Sequence, residues 1–183
     1  MIKNVCIYCA SSDKIDDIYI KDAERLASLL GERKITIING AGSKGLMQVV
    51  SDAALSAGGA VIGIIPEFMY KNGWCHESLT EVIRTETMHE RKKIMADMSD
   101  AAIALPGGCG TLEELLEIIT WRQLELYNNP VIILNTNNYY APLFEMFRHA
   151  TEQNFMREEQ SIFWHVAQTP EEVIEILLHS ENI

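Results

Sequence analysis

The sequence predicts an α/β protein, an open parallel sheet with helices on both faces. Two observations carry that expectation. Apolar runs alternate with helical patterns from one end of the 183-residue chain to the other. Runs such as AVIGII and VIIL are apolar without polar alternation, as strands covered on both faces must be. The length suits one core able to bury roughly 70% of the unfolded chain's surface, so residues 1–183 are expected to form a single domain that needs no disulfide or metal staple.

Each element follows in order. NVCIYCA reads as a strand and leads into the helical pattern DDIYIKDAERLASLLGER; ITIIN leads into GLMQVVSDAALSAG. AVIGIIP is a third strand, followed by an irregular stretch from Glu67 to Ser78 and the strand LTEVIRT. The helix MHERKKIMADMS, the strand AAIAL, the helix LEELLEIITWRQLELY and the strand PVIILN come next. A helix near APLFEMFRHATEQ, a short strand IFWHVA and the helix PEEVIEILLH complete the chain. Three helices share one start signal, Thr at the N-cap with Glu three residues on: Thr87 with Glu90, Thr111 with Glu114, and Thr169 with Glu172.

Charge and cysteine content narrow the function. The formal net charge is −11, from 26 acids against 15 bases. That balance repels phosphate backbones and anionic lipid, so neither nucleic acid nor a membrane surface is an expected partner. An anionic ligand must then be held by a local device. The N-terminal MIKNVCIYCASS is too short and too soon interrupted for a secretory signal, and no apolar run approaches transmembrane length. Cys6 and Cys9 form a CxxC, but on a strand side chains three apart point to opposite faces and cannot share a zinc. They read as buried thiols in a reducing cytosol, and a cytoplasmic location is expected.

Two strand-to-helix loops are glycine-rich, and ligands of open parallel sheets bind at such loops. The first, NGAGSKG, contains Gly40-x-Gly42-x-x-Gly45, with Glu67 near the distance of a ribose-binding acid. It is compatible with dinucleotide binding, but it follows the second strand, and its glycines equally suit tight turning and close packing. The second, PGGCGT, places Gly107, Gly108 and Gly110 at a helix opening, where outward N–H groups and the helix dipole suit a phosphate. It lacks the Lys-Ser/Thr of a nucleoside triphosphatase loop.

Two charged residues stand beside it. Glu114 completes the capping box from Thr111, which alone accounts for it, and Glu113 suits a helix start; yet a carboxylate beside a bound phosphate repels it unless a base stands nearby. The helix from Met88 offers that base. Met88, Arg91, Met95 and Met98 share one face, so Arg91 interrupts an apolar stripe and points inward, while Lys92 and Lys93 sit at the flank and in solvent. An inward arginine is either a structural ion pair or the partner of a ligand anion or catalytic acid. HERKK lacks the second histidine of a zinc helix, so no metal is assigned.

With both motifs in view, TMHERKKIMADMSDAAIALPGGCGTLEELLEIITWRQLELY resembles the Lonely Guy family of cytokinin-activating phosphoribohydrolases. The family's PGGxGTxxE stands at Pro106 to Glu114 and its MHxRK at Met88 to Lys92, and the similarity extends over nearly the whole chain, including VCIYCASS and GLM. The resemblance implies a Rossmann-like parallel sheet and a homodimer with sites near its interface. It implies hydrolysis of the N-glycosidic bond of adenosine 5′-monophosphate or its N6-prenylated forms, without a cofactor. By match to the motifs, Arg91 and Glu114 take the catalytic positions. Lys92, Gly107, Gly108, Cys109, Gly110, Thr111, Leu112, Glu113 and Thr120 take substrate-contacting ones. The family's triple glycine after the second strand is Gly40-Ala41-Gly42 here, and Gly73 and Trp74 stand where plant-like members have an acidic residue near the base pocket, so base preference is left open. No lysine lies in a pyridoxal phosphate setting that would suit the lysine decarboxylase label some relatives carry. Two other readings stand beside this one: an oxidoreductase using GAGSKG for NAD, and a nucleotide sensor without turnover.

Overall fold

The computed structural model describes residues 2–179. Seven strands form one sheet: β1 (Asn4–Tyr8), β2 (Thr36–Asn39), β3 (Val61–Pro66), β4 (Glu81–Thr85), β5 (Ala101–Ala104), β6 (Val131–Leu134) and β7 (His165–Ala167). Seven α-helices alternate with them: α1 (Asp17–Glu32), α2 (Gly45–Ser56), α3 (Glu67–Lys71), α4 (Met88–Asp97), α5 (Cys109–Gln123), α6 (Ala141–Glu152) and α7 (Pro170–His179). Every strand pair is parallel, in the order β4-β3-β2-β1-β5-β6-β7. The expected open parallel sheet is therefore present, with helices on both faces. Among the described residues no helix is long and apolar enough to cross a membrane.

The strands are apolar throughout because each face has its own core. Val5, Ile7, Ile37 and Ile103 pack with Leu26, Leu30, Val50 and Val173 from α1, α2 and α7. Cys6, Tyr8, Ile38, Ala102 and Ile133 pack with Met95, Leu115 and Ile118 from α4 and α5. Cys6 and Cys9 fall into opposite cores, as their spacing on the strand requires, and both are free thiols. Burial pushes both thiols far above the usual cysteine range.

Three local expectations need correction. The stretch after β3 is not wholly irregular, since α3 occupies its first five residues. The last strand is only His165–Ala167, because Ile162 and Phe163 belong to a 3-10 helix, Glu158–Phe163. The third correction concerns the capping boxes. Thr87 Oγ1 accepts the Glu90 N–H at 3.1 Å and Thr169 Oγ1 the Glu172 N–H at 3.2 Å, so two of the three are caps. Thr111 is not one. Helix α5 begins at Cys109 with Gly108 as N-cap and no side-chain cap, which leaves Thr111 buried inside the first turn and Glu114 beyond it. Packing explains the difference: a Cβ on Gly107 would lie 2.1 Å from Thr111 Oγ1, so the threonine seats on the glycine instead of capping the helix.

Candidate active site

Strand order reverses between β1 and β5, and a crevice outside the carboxyl ends of strands at such a point is where open α/β sheets bind ligands. The loops leaving the two strands touch, with the Ala10 N–H donating to the Pro106 carbonyl at 3.2 Å. A cavity of about 300 Å³ opens there, lined by Cys9, Ala10 and Ser11 after β1, Gly40 after β2, Met47 and Met69, Arg91 and Met95 of α4, and Gly108 to Thr111 with Glu114 of α5. Two larger hollows lie elsewhere, one around Phe147 and Trp164 and one between α1 and α2, and neither contains a glycine loop.

The floor of the cavity is the start of α5. The first N–H groups of any helix lack intrahelical partners, and here no side chain caps them. A Cβ on Gly108 or Gly110 would meet nothing within 4 Å, so the backbone at these two positions faces open space. Two tyrosines brace the loop from behind: Tyr139 Oη donates to the Gly107 carbonyl at 2.7 Å and Tyr140 Oη to the Leu105 carbonyl at 2.6 Å. Neither tyrosine stands out in the sequence, because an aromatic pair 32 and 35 residues downstream of its partners has no local signature.

Arg91 enters from the side. It is 6% exposed; its Nε donates to the Ile64 carbonyl at 3.0 Å and its Nη2 to the Gly40 carbonyl at 3.2 Å. Nη1 has the Met88 sulfur at 3.7 Å, a weak acceptor, and is the nitrogen left to meet a ligand. The guanidinium is thus held by backbone on one edge. Gly40 makes this possible, because a Cβ there would lie 1.7 Å from Nη2.

Glu114 faces the same cavity from the second turn of α5. Burial raises its pKa most; the positive charges of Arg91 and Lys92 oppose that, and Glu113 and Glu117 add to it. The outcome is a carboxyl pushed up to about 7, close to where a general base works best.

The remaining sequence candidates divide. Lys92 is buried, not at the flank as its position suggested, and pairs with Glu113 and, at 3.0 Å, with Glu117. Burial works against its charge, but the hydrogen bonds to Glu113 and Glu117 outweigh it and hold its pKa above the usual lysine value. Lys92 and Glu113 therefore tie α4 to α5 and do not line the cavity. Leu112 packs at the edge of a core, and Thr120 is exposed with its hydroxyl donating to the Leu116 carbonyl at 2.7 Å. The structure brings together Arg91, Gly108, Cys109, Gly110, Thr111 and Glu114, and leaves Lys92, Gly107, Leu112, Glu113 and Thr120 outside the lining.

The first glycine loop does not present the open helix start of a dinucleotide site. Asp13 Oδ1 accepts the Gly45 N–H at 2.7 Å, so a carboxylate of the chain already occupies the helix start where a pyrophosphate would sit. Gly42 makes room for Met47, and Glu67 pairs with Lys71 and Arg84. Among the described residues no group of three His, Cys, Asp or Glu side chains is placed to hold a metal.

Comparison with known proteins places the chain in a family. A family model described as "Possible lysine decarboxylase" matches residues 47–177. A probable cytokinin riboside 5′-monophosphate phosphoribohydrolase of Oryza sativa subsp. japonica is 43% identical over 96% of this chain and 72% of its own. A cytokinin riboside 5′-monophosphate phosphoribohydrolase of Rhodococcoides fascians is 39% identical over 84% of this chain and 78% of its own. Among solved structures, a molybdenum cofactor binding protein of Rippkaea orientalis superposes with a TM-score of 0.74 at 23% identity, over 98% of this chain and 97% of that one, which speaks to the fold alone. By sequence match over most of its length, the chain belongs to the Lonely Guy family of phosphoribohydrolases.

Proposed function

We propose that this protein hydrolyses the N-glycosidic bond of adenosine 5′-monophosphate or of N6-modified (cytokinin) riboside 5′-monophosphates, giving free base and ribose 5-phosphate. The observation that carries the proposal is the pairing, in one cavity, of an uncapped glycine-rich helix start with a carboxyl pushed up to about 7. The names of the relatives point to the same reaction. The helix start and its N–H groups take the 5′-phosphate. As the ribosyl–purine bond breaks, the purine leaves with the electron pair and positive charge develops on the sugar. The Glu114 carboxylate stabilises that charge and accepts a proton from the water that attacks the anomeric carbon, and that proton ends on the departing purine, which is released as the neutral base. Arg91, through Nη1, supplies the positive charge that lets a carboxylate and a phosphate share the site.

Incubation with adenosine 5′-monophosphate followed by chromatography is expected to show free adenine, and nucleotide binding without release would leave only a sensor. The four unpaired thiols fit a cytoplasmic setting.

A homodimer is part of the proposal. Met88 on α4 and Leu116 on α5 are 37% and 40% exposed, beside the Lys92 link between those helices, and Leu124 and Leu126 are more exposed still. Sedimentation is expected to give twice the 20.7 kDa chain mass. A concentration-independent monomer would count against it.

A further inference from the structure

His76 takes no part in the site as described, yet it is 8% exposed and fully committed. Its Nδ1 accepts the Ser78 N–H at 3.1 Å, so the ring hydrogen must sit on Nε2, which stands 3.0 Å from Asp52 Oδ1 on α2. The same residue's backbone N–H donates to the Ala41 carbonyl at 2.8 Å. Around it the segment from Trp74 to Cys75 is fastened to the first glycine loop: the Ser43 N–H donates to the Trp74 carbonyl at 3.0 Å, and Gly42 bridges Cys75.

What is fastened is a strained piece of backbone. Ala41 has φ 60°, a left-handed conformation that a residue with a Cβ adopts only when its surroundings impose it. Two hydrogen bonds do so here, the Ala41 N–H to Asn39 Oδ1 at 2.8 Å and the His76 N–H to the Ala41 carbonyl. The residue before Ala41 is Gly40, whose carbonyl receives Arg91 Nη2. Asp52, His76, Ala41, Gly40 and Arg91 thus form one connected path from an exposed carboxylate on α2 to the guanidinium in the cavity.

We infer that the Asp52–His76 pair positions Arg91 for the reaction by holding the Gly40–Ala41 turn in its strained form. The inference rests on the proposed function for what Arg91 does. Asp52 is the better member to test, since its side chain is 55% exposed and its removal leaves no cavity, whereas replacing the buried His76 risks the fold.

The experiment measures kcat and KM for adenosine 5′-monophosphate, together with thermal stability, in the wild type and in Asp52→Ala, Asp52→Asn, Arg91→Ala and the Asp52→Ala/Arg91→Ala double variant. Wild-type turnover comes first: if no adenine is released, the functional proposal fails, and the positioning of Arg91 is then judged by the same cycle read in nucleotide dissociation constants. Given turnover, Asp52→Ala is expected to lower kcat/KM by roughly tenfold with the protein still folded. Asp52→Asn, which keeps the acceptor oxygen, should stay within about twofold of wild type. In the Arg91→Ala background, Asp52→Ala should cost nothing further, because a residue that acts through another is silent once that other is gone. The same cycle is read in nucleotide dissociation constants if Arg91→Ala is too slow to assay. Wild-type kinetics in Asp52→Ala, or a loss that multiplies with that of Arg91→Ala, would overturn the inference and leave the pair as a fastening of the loop alone.

Discussion

Glu114→Gln is expected to lower adenine release by roughly 10²-fold or more while raising thermal stability at about pH 8. The two effects have one cause. Glutamine fills the same space but can neither take a proton from water nor offer negative charge to the ribosyl cation. The stability effect follows from the direction of the pKa shift. Glu114 is raised from 4.5 to about 7 in the folded protein, so between those values the folded chain keeps a proton that the unfolded chain releases. Stability from this group is therefore full below the lower value and is lost as pH rises through the upper one. By about pH 8 the ionised, partly buried carboxylate costs on the order of 1–3 kcal/mol, which glutamine does not. The stability gap between variant and wild type should close near pH 4.5, and wild-type kcat/KM should fall about tenfold per unit below pH 7, with that limb absent from the residual activity of Glu114→Gln. Since Glu114 lies beyond the first turn of α5, no loss of a helix cap offsets the gain. Near-full activity in a folded Glu114→Gln would remove the mechanism, and a variant less stable than wild type at pH 8 would contradict the buried-carboxylate account.

The second large effect is on the substrate side. Adenosine is expected to turn over with a kcat/KM roughly 10³-fold or more below that of its 5′-monophosphate. Each charge-assisted hydrogen bond to phosphate contributes about 1.5–3 kcal/mol, and the start of α5 presents several uncapped N–H groups together with the helix dipole. A chain of net charge −11 has no diffuse attraction for an anion, so the discrimination must come from this one place. Comparable turnover of nucleoside and nucleotide would show that the glycine loop holds something else.

Much of this was legible in the sequence, for physical reasons that are local or periodic. Strands covered on both faces, such as AVIGII, are continuous apolar runs, and that pattern, with the alternation of strands and helices, predicted the parallel sheet. Arg91 was legible because Met95 and Met98 share its face of α4 by helical period and point inward, although Met88 on the same face is exposed. Gly108 and Gly110 were legible because a helix start with no Cβ at its N-cap or its second residue has few uses beyond close approach to a ligand.

Tertiary structure decided the rest, wherever the deciding contact came from a distant part of the chain. Thr-x-x-Glu is a local code, and at Thr111 it failed because the hydroxyl packs onto Gly107, which turned Glu114 from a cap into a carboxyl facing the cavity. Lys92 looked like a flank residue because its partners Glu113 and Glu117 lie on another helix, more than 20 positions on. GAGSKG looked like a nucleotide loop because spacing records small residues but not what fills the space above them; the guanidinium of Arg91, the side chain of Met47 and the carboxylate of Asp13 do. The sequence by itself determined which residues have the chemistry, through patterns that hydrophobic burial and helix geometry impose within a few residues. Which of them face one another, and at what pKa, was decided only when the sheet brought β1, β2 and β5 side by side, since burial and charge act through space and not along the chain.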